Sequence, residues 1–283
     1  MERKKVSSRR VRRRIGLRSE PARQWLRWAA RFGYAACGFL YAAIGIVAIA
    51  VAVGLTESPT GSHGVMKFLS RLPFAPVLLG ALCAGLAGYA TLNITGAISD
   101  PEKRGASLTG IFLRSLDIIT GALYIALTVA ALGFLVGASQ SEDTVKKFAT
   151  DLMQIPLGPV LLLIVGISLI VGSLYLLIRA TQEEFGEMLD KRKLSPRIRA
   201  AVSWCARAGT AARGVIFAIC GYFAMRAALS RSPARVGGVD DALAFIKGAT
   251  FGPVLLVLIG AGFIAYGFYQ LSKSRYQRVL DAN

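Results

Sequence analysis

Two ionisable side chains, Asp117 and Arg213, stand inside long apolar stretches of this 283-residue chain. A charge in hydrocarbon costs several kcal/mol, so such a residue must pair, reach for the headgroups or serve a polar path. Asp117 follows Arg114 by three residues, which makes the two neighbours on a helix, and a local interfacial ion pair is the first expectation for it. Arg213 lies six residues past Arg207, about 9 Å deeper by helical rise, and is expected to snorkel back to the same surface. The alternative is that Asp117 and Arg213, carried on different hairpins, converge and pair near the centre of the molecule. Other chemistry is sparse. His63 sits alone in "TGSHG", while Cys37, Cys83, Cys205 and Cys220 lack close pairing and read as small apolar residues. No metal or cofactor is expected from them. G-x-S-x-G, H-E-x-x-H and P-loop signatures are missing, as are the paired membrane aspartates of a protease, so no enzyme is expected.

The elements that must carry these residues follow from hydropathy. The chain is 54% hydrophobic, too apolar for an ordinary soluble domain. Six stretches, 28–54, 74–98, 111–137, 157–180, 203–229 and 251–272, each lack a central run of charge and are long enough to cross a bilayer as helices. The first follows a long Arg-rich tail and exceeds the length of a signal sequence, so it is expected to stay as a span.

The net charge of +18 is distributed by side. With the N-terminus in the cytoplasm, 25 of the 34 Lys and Arg fall on the cytoplasmic side, in both tails and in the loops after spans two and four. That is the positive-inside pattern, with both termini cytoplasmic. Trp25, Trp28 and Trp204 fall at the cytoplasmic ends of odd-numbered spans, where amphipathic rings settle at headgroups. The tail "MERKKVSSRRVRRRIGLRSEPAR" has no aromatics for base stacking. It reads as a disordered segment pressed against anionic lipid headgroups at about 1 kcal/mol per charge, and not as a nucleic-acid binder.

The spans repeat. The string PVLL begins at Pro76, Pro159 and Pro253, each time opening an even span. At those offsets the odd spans align as well: Arg31, Arg114 and Arg207, then Gly38, Gly121 and Gly214, then Tyr41, Tyr124 and Phe217, then Gly45, Thr128 and Gly221. Steps of seven, three and four keep those positions on one helix face, where glycine permits close backbone approach. Before each proline a short amphipathic segment runs Val65/Phe68/Leu69/Leu72, Val145/Phe148/Ala149/Leu152 or Ala242/Phe245/Ile246/Ala249, the pattern of a helix in the outer interface. Asp240 and Ser141 are expected to cap two of these helices. The proline itself suits the first turn of the returning span, where a missing N–H costs little.

The expected fold is therefore an all-α membrane protein of six transmembrane helices arranged as three parallel two-helix repeats, closed into a pseudo-threefold bundle with short outer interfacial helices. Residues 1–27 form the basic tail, 28–104 repeat 1, 105–190 repeat 2, 191–272 repeat 3 and 273–283 a second cytoplasmic tail. The odd-span opening "R-x-G-x-x-A-x-G" and the even-span opening "G-P-V-L-L" resemble the bacterial membrane proteins grouped as the domain of unknown function 1206 family, over residues 28–272. Repeat 2 departs from that pattern, since "RSLDIITG" lacks the early glycine, and the first even span reads "APVLL". The resemblance implies a bacterial plasma membrane and no known activity.

The functional expectation is a non-enzymatic structural or regulatory interaction role in the cell envelope, with a membrane-protein partner or a second copy of the chain. A small-solute or ion channel or transporter is the alternative, because the repeated faces are mostly Gly, Ala and aromatic and suit a packed bundle better than a wet pore. A wetted cavity lined by Asp117 or Arg213 would reverse that order.

Overall fold

The computed structural model describes residues 20–56, 61–99, 108–137, 144–182 and 195–276. The tail through residue 19, the expected cap Ser141 and the residues from 277 onward lie outside the described residues. Nine α-helices occur among those described: α1 Glu20–Ala52, α2 Ser62–Leu69, α3 Ala75–Ser99, α4 Leu108–Leu135, α5 Thr144–Met153, α6 Gly158–Thr181, α7 Pro196–Ser230, α8 Val239–Lys247 and α9 Gly252–Tyr276. The six long ones, α1, α3, α4, α6, α7 and α9, are long and apolar enough to cross a membrane. The short ones, α2, α5 and α8, fall where the three amphipathic segments were expected. The protein is an all-α, multi-pass membrane protein with three tandem repeats.

Local chemistry explains the helix starts. Pro76, Pro159 and Pro253 each stand second in their helix, in the first turn where the backbone N–H is unpaired in any case. The PVLL phrase then faces two ways: Val77, Val160 and Val254 are exposed toward the apolar surroundings, while Leu79, Leu162 and Leu256 are buried. A Cβ at Gly158 or Gly252 would collide with the carbonyl of Leu152 or Lys247. Glycine before proline is thus needed where the short helix turns back tightly, and repeat 1 manages with Ala75. On the long α7, Ser195 accepts a hydrogen bond from the Ile198 N–H at 3.4 Å, and Pro196 opens the helix.

Five of the six neighbouring pairs of spans pack closely, in the spatial order α4, α3, α1, α9, α7, α6, and between α4 and α6 the circle is completed only by marginal contact among the described residues. The strongest packing joins the even span of one repeat to the odd span of the next: α3 to α4, α6 to α7 and, closing the ring, α9 to α1. The three joints are built alike. A Cβ at Gly38, Gly121 or Gly214 would lie 2.8, 3.3 or 3.4 Å from the carbonyl oxygen of Gly267, Ala90 or Ser173, which occupy one repeat position in the even spans. Two turns away, Gly45 and Gly260 face each other across the third joint, Gly221 and Gly166 across the second, and the Cys83 thiol reaches toward the Thr128 carbonyl across the first. Antiparallel neighbours in this register bring backbones together at two levels, the packing by which membrane helices associate in a solvent as apolar as themselves.

Repeat 2 is the exception within the ring. Inside repeat 1, Gly33 packs against the Tyr89 backbone and Gly85 against Ala36; inside repeat 3, Gly209 packs against Tyr266 and Gly262 against Ala212. The equivalents of Gly33 and Ala36 in repeat 2 are Leu116 and Ile119. Leu116 lies over Gly172, and α4 and α6 make only marginal contact among the described residues. Side-chain bulk at the hairpin's closing face holds the two helices apart. The early glycine missing from "RSLDIITG" is the residue responsible.

The arginines of the stripe sit at the end opposite the short helices, here called the terminal face because α1 begins and α9 ends there. Arg31 lies 5.5 Å from the Trp28 ring centre and Arg207 5.6 Å from that of Trp204, repeat-equivalent cation–π pairs. Repeat 2 has Ile111 in place of the tryptophan, and Arg114 instead donates from Nε to the Ala97 carbonyl at 2.6 Å, near the C-terminal end of α3.

Candidate functional site

Between the two faces the inward aromatics form a polar layer. Tyr41 of α1, Tyr124 of α4 and Phe217 of α7, one repeat position, meet around Arg213. The guanidinium carbon lies 5.4 Å from the Tyr41 ring centre, 5.2 Å from Phe217 and 4.7 Å from Tyr266 of α9. Its Nη1 donates to the Tyr266 hydroxyl at 2.5 Å, while its Nε is buried without an acceptor among the described residues. The Tyr124 hydroxyl donates to that of Tyr41 at 3.4 Å and lies 3.2 Å from the Cys37 thiol. Each of these residues falls near the middle of its span, so the layer sits near mid-depth in the bundle.

A second tier continues toward the terminal face. Gln270, fully enclosed, donates from Nε2 to the Tyr89 hydroxyl at 3.2 Å and to the Cys37 sulfur at 3.3 Å, and its Oε1 is buried without a partner among the described residues. Reversing the amide would orphan the nitrogen instead. Tyr89 packs against Tyr124 with ring centres 4.5 Å apart and against Tyr34 at 5.6 Å. The tier ends at Lys273, whose ammonium lies 4.4 Å from the Tyr34 ring centre and 5.5 Å from that of Tyr269. Two cations therefore stand at two depths, separated by a column of tyrosines.

Several expectations change here. Arg213 does not snorkel to the headgroups. It stands one turn before the inward Phe217, so its stem starts on the inner face, and three rings with one hydroxyl hold its head there. Arg213 also does not meet Asp117, which is half-buried in α4 three repeat positions nearer the terminal face; the partners of Arg213 are tyrosines and a phenylalanine. Cys37 does more than fill space, since its sulfur links the two tiers. Gln270, Tyr89 and Tyr266 escaped the sequence reading as site residues. The available signal was the even-span repeat position shared by Tyr89 and Tyr266, with Asn93 and Gln270 a further turn along.

On the short-helix side of Arg213 lies a cavity of about 30 Å³, lined by Arg213, Tyr41 and Tyr124, by the apolar Ile44, Ile216 and Phe263 among others, and finally by Ser62 and Val239. That is room for about two waters. Ser62 and Val239 open α2 and α8, so these two helix starts roof the cavity.

The roof is tied by a crossed cap. Asp240 does not cap its own helix as expected; its Oδ1 accepts the Gly61 N–H at 2.5 Å and so caps α2 of repeat 1. Asp241 takes over at home, accepting the Gly238 N–H at 2.9 Å, and its other oxygen lies 4.0 Å from the Lys146 ammonium of α5. The short helices of all three repeats are thereby linked, although the exposed ion pair adds little energy. His63 packs edge-on against Phe134 with ring centres 5.0 Å apart.

Burial pushes the Asp240 carboxyl up from its ordinary range, against the opposing pull of the Gly61 N–H and His63; Asp241 beside it pushes the same way as burial. A carboxyl that holds its proton more tightly when folded favours the fold most below the ordinary carboxyl range, and that contribution is lost as pH rises through its folded value. Asp240→Asn keeps an acceptor for Gly61 without a charge. The melting temperature of wild type relative to this variant should therefore fall as pH rises from about 4 toward neutrality; a pH-independent difference would show that Asp240 is not the titrating group.

Comparison with known proteins adds kinship and no chemistry. The uncharacterized protein YxxB of Bacillus subtilis (strain 168) is 28% identical over 260 residues, covering 92% of this chain and 94% of that one. No solved structure matches the chain. The profile of the family described as Domain of Unknown Function (DUF1206) matches three times, at residues 32–100, 118–182 and 208–277, one match on each two-span unit. With three matches spanning most of the bundle, the chain belongs to the DUF1206 family.

Proposed function

We propose that this protein moves a small solute across the membrane, which reverses the order expected from sequence, where a structural or regulatory interaction role came first. The observation that carries the reading is the cavity against Arg213 at mid-depth. A bundle selected only for packing gains little from a charge near its centre, because replacing buried charge by a hydrophobic side chain of similar volume is often neutral or stabilising. Arg213 is accounted for if the centre of the bundle receives something polar. The cavity leads from the short helices to the arginine, and the tyrosine column leads on from there to Lys273, which describes a path closed by side chains and not by backbone.

The orientation that goes with this reading puts both termini in the cytoplasm of a bacterial plasma membrane and the roofed cavity outside, supported by the 25 of 34 basic residues on one side. The basic tail then lies against anionic headgroups. Purified protein reconstituted in liposomes tests the proposal: reproducible solute flux above protein-free vesicles is the expected result. A silent bilayer together with a stoichiometric membrane-protein partner would return the interaction role to first place.

A further inference from the structure

Resting on that transport reading, we infer that Arg213, with the hydroxyl of Tyr41, forms a binding site for a small monovalent anion of halide size. The charge balance points there first. Among the described residues the guanidinium bonds to no carboxylate, and its partners are neutral: the Tyr266 hydroxyl and the faces of Tyr41, Phe217 and Tyr266. Ring faces return about 0.5–2 kcal/mol each to a cation, whereas desolvating an ion costs several kcal/mol. An anion in the adjoining cavity makes up the difference.

The hydrogen-bond inventory points the same way. Nε of Arg213 has no acceptor among the described residues, and because the Tyr124 hydroxyl donates to Tyr41, it is the Tyr41 hydroxyl whose hydrogen is left to donate beside the guanidinium. A cation or a neutral donor finds little to bind there. An acceptor with a negative charge finds a guanidinium and the Tyr41 hydroxyl, and charge-assisted bonds are the stronger kind. Size sets the class. A cavity of about 30 Å³ admits something on the scale of one or two waters, which suits a halide and excludes a sugar acid or a nucleotide. The apolar wall between Arg213 and Ser62 strips water from whatever enters, which favours a weakly hydrated monovalent ion over a phosphate or sulfate.

The test uses the full chain in lipid nanodiscs with chloride as probe, replaced by gluconate at constant ionic strength. Chloride should broaden its own NMR resonance in the presence of protein and raise the protein's melting temperature, both saturably. Arg213→Met should abolish both effects, and Arg213→Lys, which keeps the charge but loses the planar fork, should weaken affinity about tenfold or more. No saturable chloride effect in wild type, or an undiminished effect in both variants, overturns the assignment. If Arg213→Met does not fold, Arg213→Lys decides alone, because an unchanged affinity in it sinks the role of the guanidinium. The transport reading fails separately: chloride binding that depends on Arg213 without chloride flux in proteoliposomes leaves the site standing and removes transport. Solute flux equal in wild type and Arg213→Lys, without chloride binding, does the reverse.

Discussion

Gly45→Leu is expected to leave little folded protein, with any surviving fraction destabilised by about 3 kcal/mol or more. Overpacking an ordinary core costs about 1–3 kcal/mol because neighbouring side chains yield. At this joint the neighbour is backbone. A Cβ on Gly45 would lie 2.5 Å from the Gly260 carbonyl oxygen, and one on Gly260 would lie 2.7 Å from the carbonyl oxygen of Gly45. A turn pair away, Gly38 and Gly267 repeat the arrangement at 2.8 and 2.7 Å. Separating α1 from α9 opens the joint that links the third repeat to the first, and because α4 and α6 make only marginal contact, little then holds α1, α3 and α4 to α6, α7 and α9. Thermal unfolding in detergent and the yield of monodisperse protein measure the effect. Gly96→Ala is the control: a Cβ there meets nothing within 4 Å, so helix propensity should make it neutral or more stable by about 0.5–1 kcal/mol. Equal losses at both sites would show that the close approach is not what closes the ring.

The second large effect runs the other way. In medium free of small anions, Arg213→Met should raise stability by about 1–4 kcal/mol, as replacement of buried charge by well-packed apolar atoms commonly does. Methionine is flexible enough to follow the path of the arginine stem. The Tyr266 hydroxyl loses a charge-assisted donor and three ring faces lose a cation, and relief of the guanidinium's desolvation works against both. Differential scanning fluorimetry on wild type and variant checks this directly. A variant clearly less stable than wild type would mean that the aromatic cage alone satisfies the guanidinium and that the arginine holds the bundle together. The expected gain is the signature of a site that gives up stability for a role.

Much of the architecture is local information. Six apolar runs, three prolines at equivalent offsets and the Arg, Gly, aromatic stripe are written along the chain, and membrane solvent makes their meaning nearly unique, because only helices satisfy the backbone in hydrocarbon. The glycine stripe even identified the helix face used at the joints, since Gly121 and Gly214 back onto the preceding even span and Gly38 onto the last one. The anomaly of repeat 2 was also visible as Leu116 in place of Gly33 and Gly209. Its consequence, a hairpin whose helices barely touch, was not.

Sequence by itself determined the crossings, the repeat, the short interfacial helices and the family, because each depends on hydropathy, helix-start chemistry or repetition within a few dozen residues. Tertiary structure alone decided where Arg213 points, which helix Asp240 caps and which even-span residues join Tyr41 and Tyr124. An arginine stem reaches either to a headgroup or across a bundle axis, and the choice rests on rings delivered by helices far away in sequence: Tyr41 is 172 residues upstream of Arg213 and Tyr266 is 53 downstream. Likewise, the carboxylate of Asp240 reaches Gly61 across 179 residues. Those contacts exist only once the third repeat has closed on the first.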